Sequence, residues 1–238
     1  MNALAAGTVA ELIVVRHGES TAGPALAKAR DLRRHDAGLN MRDADVPLTD
    51  RGRAQVDALG AALAARPAER AVTVVVSSPY ARAVETTRAV LTRLRDAGAA
   101  PDRTVADERL RDRELGVLEL MTPRGIKAKY PDEVRRRQFF GDFYYRPPGG
   151  EALVDVALRL RSFLTDLRLD APGERVLLVA HDAVVLMIRY ILESLDERDL
   201  ARLAAAGSIE EASISRWEAA DGRLEPAVFN DVAHLSAG

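Results

Sequence analysis

Three aliphatic runs stand out along the chain: Leu12–Val15, Val72–Val76 and Val176–Ala180. None alternates strictly with polar residues, so each reads as a short strand buried on both faces. Polar residues follow each run, and then a helical spacing of apolar positions. Strand, turn and helix in repetition predict an α/β sheet with parallel strands. Near the C-terminus, Ala212–Glu218 and Leu224–Phe229 flank Ala219-Ala220-Asp221-Gly222-Arg223, a hairpin signature with Asp-Gly in the turn. The sheet is therefore expected to be mixed, mostly parallel, inside a three-layer α/β/α sandwich.

Helix signals fit between the strands. Thr49 in PLTDRGRAQ is placed to cap a helix running to about Ala65. Ser78-Pro79 predicts a second cap, with proline in the first turn and a helix through about Arg95. Leu153, Val156, Leu160, Phe163, Leu164 and Leu167 form an apolar stripe after the turn-rich Pro147-Pro148-Gly149-Gly150. Segments 22–46 and 117–148 fit no strand and are expected to decorate the sheet as loops and irregular helices. With no repeat, low-complexity tract or linker, 1–238 reads as one domain.

Composition narrows the function. The 238 residues are 47% hydrophobic, enough for one sizeable core. A formal charge of -2 and a pI near 6.1 give no basic field for nucleic acid or an anionic membrane. Arginine outnumbers lysine 31 to 3, a bias that lowers the weight of any arginine-rich run. The absence of cysteine excludes disulfides and thiolate chemistry. MNALAAGTVAEL is a poor signal peptide, and no apolar stretch reaches the ~18 residues of a membrane span. A cytoplasmic protein is expected, with a homodimer left open.

The chemistry gathers where the buried runs end. In open α/β sheets, ligands bind beyond the carboxyl ends of the strands. The first run ends in Arg16-His17-Gly18; glycine there permits a sharp turn or a close approach by a ligand. The second leads through Ser77-Ser78 into a helix with Arg82 in its first turn, and the third ends in His181. Singly, each is more often a structural residue. Together, two arginines and two histidines on one edge form a costly cluster unless an anion occupies it. A phosphoryl group suits it: guanidinium forks grip its oxygens, and a helix N-terminus behind Ser78 adds N–H donors.

At these residues the chain resembles the histidine phosphatase superfamily, which includes the cofactor-dependent phosphoglycerate mutases. RHGE, LTDRGRAQ, SSPYARAVETT and a second histidine after an apolar strand follow in order from Leu12 to about Leu192. The resemblance implies a phosphoglycerate mutase-like fold and His17 as the nucleophile. It implies phosphate binding by Arg16, Arg82, His181 and Ser20, without cofactor or metal. LRDRELG aligns with the family's L-R-E-x-x-x-G, placing Asp112 as general acid with Glu114 in reserve. Two positions depart from the pattern: Gly23 where an asparagine is usual, and Asp182 where a glycine usually follows the second histidine.

The expected activity is hydrolysis of a small phosphorylated metabolite. A mutase is the alternative, and a non-catalytic phospho-ligand-binding protein the second alternative. His181-Asp182 also suits a metal-dependent phosphohydrolase of the HD type, but HExxH and HxH spacings are absent. The basic, aromatic stretch 124–146 reads as a solvated lid over the pocket rather than an RNA surface.

Overall fold

A computed structural model describes residues 8–236. The first seven residues, on which part of the signal-peptide reading rests, lie outside the described residues. Six strands form one sheet: β1 Glu11–Arg16, β2 Val74–Ser77, β3 Arg103–Ala106, β4 Arg175–Ala180, β5 Ile214–Ala220 and β6 Arg223–Asp231. Their spatial order is β3-β2-β4-β1-β5-β6. The first four strands run parallel, and β5 and β6 join antiparallel.

Burial on both faces explains the continuous apolar runs. Leu12, Val14, Val74, Val76, Val176 and Leu178 pack into a core on one face, under α6 (Leu153–Asp170) and α7 (Asp182–Leu192). Ile13, Val15, Val75, Leu177 and Val179 pack into a second core, under α2 (Asp50–Ala64) and α3 (Ala81–Asp96). Each such side chain, fully buried, contributes roughly 1.5–3 kcal/mol relative to exposure. The layers are α/β/α. The hairpin turn has Asp221 and Gly222 at φ 49° and 76°, the pair of positive values that a two-residue hairpin of this hand requires.

The decorating segments are more helical than irregular. Segment 22–46 holds α1 (Ala22–Asp31) and a 3-10 turn over Asp43–Asp45. Segment 117–148 holds α4 (Pro123–Lys129) and α5 (Pro131–Tyr144), the latter broken at Gly141. A further helix, α8 (Glu197–Ala206), follows α7. No helix among the described residues is long and apolar enough to cross a membrane.

Candidate active site

Register brings the chemistry together. Arg16 pairs with Ala180, and Ser77 with Val179, so β1, β2 and β4 end at one level. The next residues continue the pattern: His17 N–H donates to Ala180 O at 3.0 Å, and Ser78 N–H to Val179 O at 2.9 Å. His17, Ser78 and His181 are thereby delivered side by side. The two imidazoles stand 5.1 Å apart, centroid to centroid, edge to face.

At Gly18 a close approach comes from within the protein. A methyl group there would meet Gly52 O at 2.6 Å and Val56 Cγ1 at 2.7 Å. One at Gly52 would meet Glu19 O at 2.1 Å. The two glycines let the start of α2 abut the backbone behind His17. Thr49 fixes that contact: its hydroxyl oxygen accepts from Gly52 N–H at 2.9 Å, and the hydroxyl donates to Glu19 Oε1 at 2.7 Å. Gln55 Oε1 accepts from Glu19 N–H at 2.8 Å, and Thr86 Oγ1 from Gly18 N–H at 3.3 Å. The LTDRGRAQ and SSPYARAVETT motifs thus hold the turn that carries His17.

Hydrogen bonds assign the imidazole tautomers. His17 Nδ1 lies 2.7 Å from Gly18 O, which only accepts, so Nδ1 carries the proton. Nε2 is left as the lone-pair nitrogen and accepts from Arg82 Nε–H at 3.0 Å. Ser78 Oγ accepts from Tyr80 N–H at 3.3 Å and lies 2.8 Å from His181 Nε2. The Asp112 carboxylate, 3.4 Å from Nδ1, favours the His181 proton on that nitrogen, and Ser78 then donates its hydroxyl proton to Nε2. The expected cap at Ser78 is thus corrected: α3 starts at Ala81 with Tyr80 at its cap, and the serine is drawn to the histidine instead.

Burial and positive neighbours keep both rings neutral. Burial, then His181, Arg82 and Arg16, hold His17 well below the ordinary imidazole value of 6.5. Burial, then Arg82, Arg159 and Arg16, do the same to His181. Arg82 is only 3% exposed, and burial opposes its charge, but Asp112 and Asp43 keep its value raised. Its Nη2 donates at 2.8 Å to both Asp43 Oδ2 and Asp112 Oδ2, and its Nη1 at 2.7 Å to Asp43 O.

Asp112 meets the other groups and Glu114 does not. Asp112 Oδ2 lies 3.4 Å from His181 Nδ1, without a hydrogen bond forming, and Oδ1 accepts from Arg113 N–H at 2.8 Å. Arg159 donates to Asp112 O at 3.1 Å. Gly116, at φ 54°, packs where a side chain would strike Pro148 O at 2.1 Å, seating this loop on the turn before α6. Glu114 turns outward to Arg111, 3.5 Å away. Ser20 is buried in the turn after His17, joined to the site residues by no hydrogen bond among the described residues. Gly23 is exposed, with Glu211 Oε1 as the nearest neighbour of an added methyl at 3.9 Å.

Two buried nitrogens in this cluster have no hydrogen-bond partner among the described residues: Arg16 Nε and His181 Nδ1. Arg16 Nη1 is tied to Ile209 O, which fixes the guanidinium. Unmet buried donors cost about 1–3 kcal/mol each, and a bound oxyanion is the kind of group that satisfies such donors. Asp182, the carboxylate next to His181, accepts from Ala183 N–H at 2.6 Å. Burial and then Asp112 raise its pKa, which favours its neutral form and weakens repulsion of an anion. Asp43 and Ser78 were absent from the site expected from sequence. Only the strand-end position of Ser78 pointed to it; Asp43 lies far along an irregular segment.

A cleft of about 920 Å³ opens from the cluster, with Asp43, Asp112, Glu119 and Asp182 on its inner wall and α1, α7 and α8 around it.

The family model of the histidine phosphatase superfamily (branch 1) matches residues 12–232. A 2,3-bisphosphoglycerate-dependent phosphoglycerate mutase of Gloeobacter violaceus is 35% identical over 192 residues, covering 79% of this chain and 76% of that protein. Among solved structures, a mycobacterial glucosyl-3-phosphoglycerate phosphatase with inorganic phosphate is similar at TM-score 0.68 and 26% identity, covering 95% and 99% of the two chains. A putative alpha-ribazole-5'-P phosphatase of Escherichia coli shares the fold at TM-score 0.73 and 20% identity, covering 95% and 98%.

Proposed function

The chain belongs to the histidine phosphatase superfamily, and we propose that it hydrolyses phosphomonoesters through a phosphohistidine on His17. The observation that carries this reading is the lone-pair Nε2 of His17, buried beside the unpartnered Arg16 Nε and His181 Nδ1. Nε2 attacks phosphorus, the N–P bond forms and the bond to the leaving oxygen breaks. Asp112 gives that oxygen its proton. The Nδ1–H bond to Gly18 O stabilises the positive charge that the ring acquires. Arg16, Arg82 and His181 hold the phosphoryl oxygens, and Arg82 turns toward them from its carboxylate partners. Water then attacks phosphorus with Asp112 accepting its proton, and the N–P bond breaks to release phosphate.

Since the two arginines supply the positive charge of transfer, the reaction is metal-independent in this reading. Phosphate recognition leads us to infer a small-molecule partner. Ser20, in the turn after His17, joins the phosphate-binding residues in this reading.

A mutase is the second reading, favoured by the name of the Gloeobacter relative. It must grip a second anionic group, and the arginines lining the cleft, Arg113 and Arg189, are already engaged by other partners. The test is 3-phosphoglycerate, with and without 2,3-bisphosphoglycerate, in the presence of a chelator. The expected result is phosphate release or no reaction with this compound, alongside chelator-insensitive hydrolysis of other monoesters. Rapid formation of 2-phosphoglycerate without stoichiometric phosphate would make the protein a mutase. Loss of hydrolysis restored by zinc or manganese would overturn metal independence.

A further inference from the structure

The leaving-group side of the site has a chemistry of its own. Beyond the carboxylates, the cleft is walled by Leu26, Leu120, Leu186, Leu203, Ile209 and Phe229, contributed by five separate parts of the chain. Convergence of aliphatic and aromatic side chains from distant segments makes a built subsite rather than a stray patch. It is continuous with the phosphoryl cluster, because Ile209 O also holds Arg16 and Ala183 follows Asp182 into the same cleft.

The cations of this wall are already engaged. Arg113 donates to Glu151 O at 2.8 Å and to Tyr145 O at 3.0 Å. Arg189 donates to Glu193 Oε2 at 3.0 Å and lies 3.9 Å over the ring of Phe229. Among the described residues lining the cleft, Arg113 and Arg189 are the cations, and Asp43 and Asp112 on the same wall are paired with Arg82 outside it. A leaving group bearing a carboxylate or second phosphate would meet cations already engaged and lose its hydration against leucines. An uncharged apolar one gains from every methylene it buries.

From this juxtaposition we propose that the substrates are monophosphates of uncharged, apolar alcohols, with the hydrocarbon lying between α1, α7 and α8. The inference rests on the phosphatase reading above. It is tested with linear alkyl phosphates from ethyl to octyl, each below its micelle concentration, beside 3-phosphoglycerate. The expected kcat/KM rises about twofold to fourfold per methylene, the upper value corresponding to full burial, and 3-phosphoglycerate falls below octyl phosphate. Leu203→Asp, on the cleft-facing helix α8, is expected to lower the octyl-to-ethyl ratio roughly tenfold. That ratio is internal to one preparation, so a partly unfolded variant does not mimic the result. Hydrolysis of ethyl phosphate with no chain-length dependence would overturn this inference and leave the phosphatase reading standing. A preference for 3-phosphoglycerate would do the same. Failure to hydrolyse any ester would overturn both.

Discussion

Strand β1 carries buried charge at both ends, and the two ends are completed differently. At its start, Glu11 is 2% exposed and accepts from Arg66, from Arg70 at 2.9 Å and from Arg216 at 3.2 Å. Glu218 closes that cluster through Arg70 at 2.6 Å and through Arg216. At its far end, Arg16 and His17 stand beside His181 with two donor nitrogens unmatched. In the first cluster both carboxylates are paired within the protein, and the pairs clamp β1 to β5 and to the segment after α2. The second leaves donors for an oxyanion. Buried charge alone does not mark a functional site; what separates the far end is unmatched donors gathered around a buried imidazole with a free lone pair.

The largest expected effect lies at the open end. Asp112→Asn is expected to lower turnover by ~10²–10⁴-fold, most for alkyl phosphates with poor leaving groups. Glu114→Gln is expected to change it little, since that side chain faces Arg111. Steady-state kinetics on both variants checks the assignment, and the reverse order would exchange their roles.

At the closed end, Glu11→Gln leaves three arginines around a neutral group. It is expected to cost about 2–4 kcal/mol, with part of the cluster's exposure already discounted. Turnover per folded molecule should hold. Urea unfolding with active-site titration separates the two; a loss of turnover without destabilisation would erase the distinction between the ends.

A smaller effect is expected from Ser78→Ala, which removes the hydroxyl that donates to His181 Nε2. About a tenfold fall in kcat/KM is expected, corresponding to ~1.4 kcal/mol, the scale of one hydrogen bond. Imidazole nitrogen NMR should then report a mixed tautomer at His181. An unchanged spectrum would remove Ser78 from the site.

Acid pH sharpens the contrast further. Both site histidines have folded values depressed below 6.5. Their unfolded forms take up protons first, so their contribution to stability is full above about 6.5 and declines as the pH falls below it. The rate per folded molecule should show no loss at the ordinary imidazole value, because the folded value of His17 lies below it. Parallel melts and initial rates between pH 7 and 5 test this, and an acid limb of kcat/KM at 6.5 would contradict it.

Much of this was legible in the chain because it depends on local pattern. Continuous aliphatic runs located β1, β2 and β4, and the residues directly after them supplied His17, His181 and the approach to Arg82. Asp221-Gly222 located the hairpin through its backbone requirement. What escaped depends on partners distant in sequence. β3, RTVA, is exposed at the sheet edge and carries no burial pattern. Gly18 is needed because Gly52 approaches it, which no local reading contains. Asp43 reaches Arg82 from a short turn without periodicity, and Ser78 satisfied a capping rule while its hydroxyl answered to His181.

In the proposed mechanism the lone pair on His17 Nε2 takes the phosphoryl group. Rapid mixing with substrate, alkaline quench and phosphorus NMR of the trapped protein, with the site mapped by mass spectrometry, tests it most directly. The expected result is an acid-labile phosphoryl group on His17, bonded at Nε2 and absent from His17→Ala together with turnover. A phosphoryl group on Nδ1 or on another residue, or full turnover in His17→Ala, would contradict it.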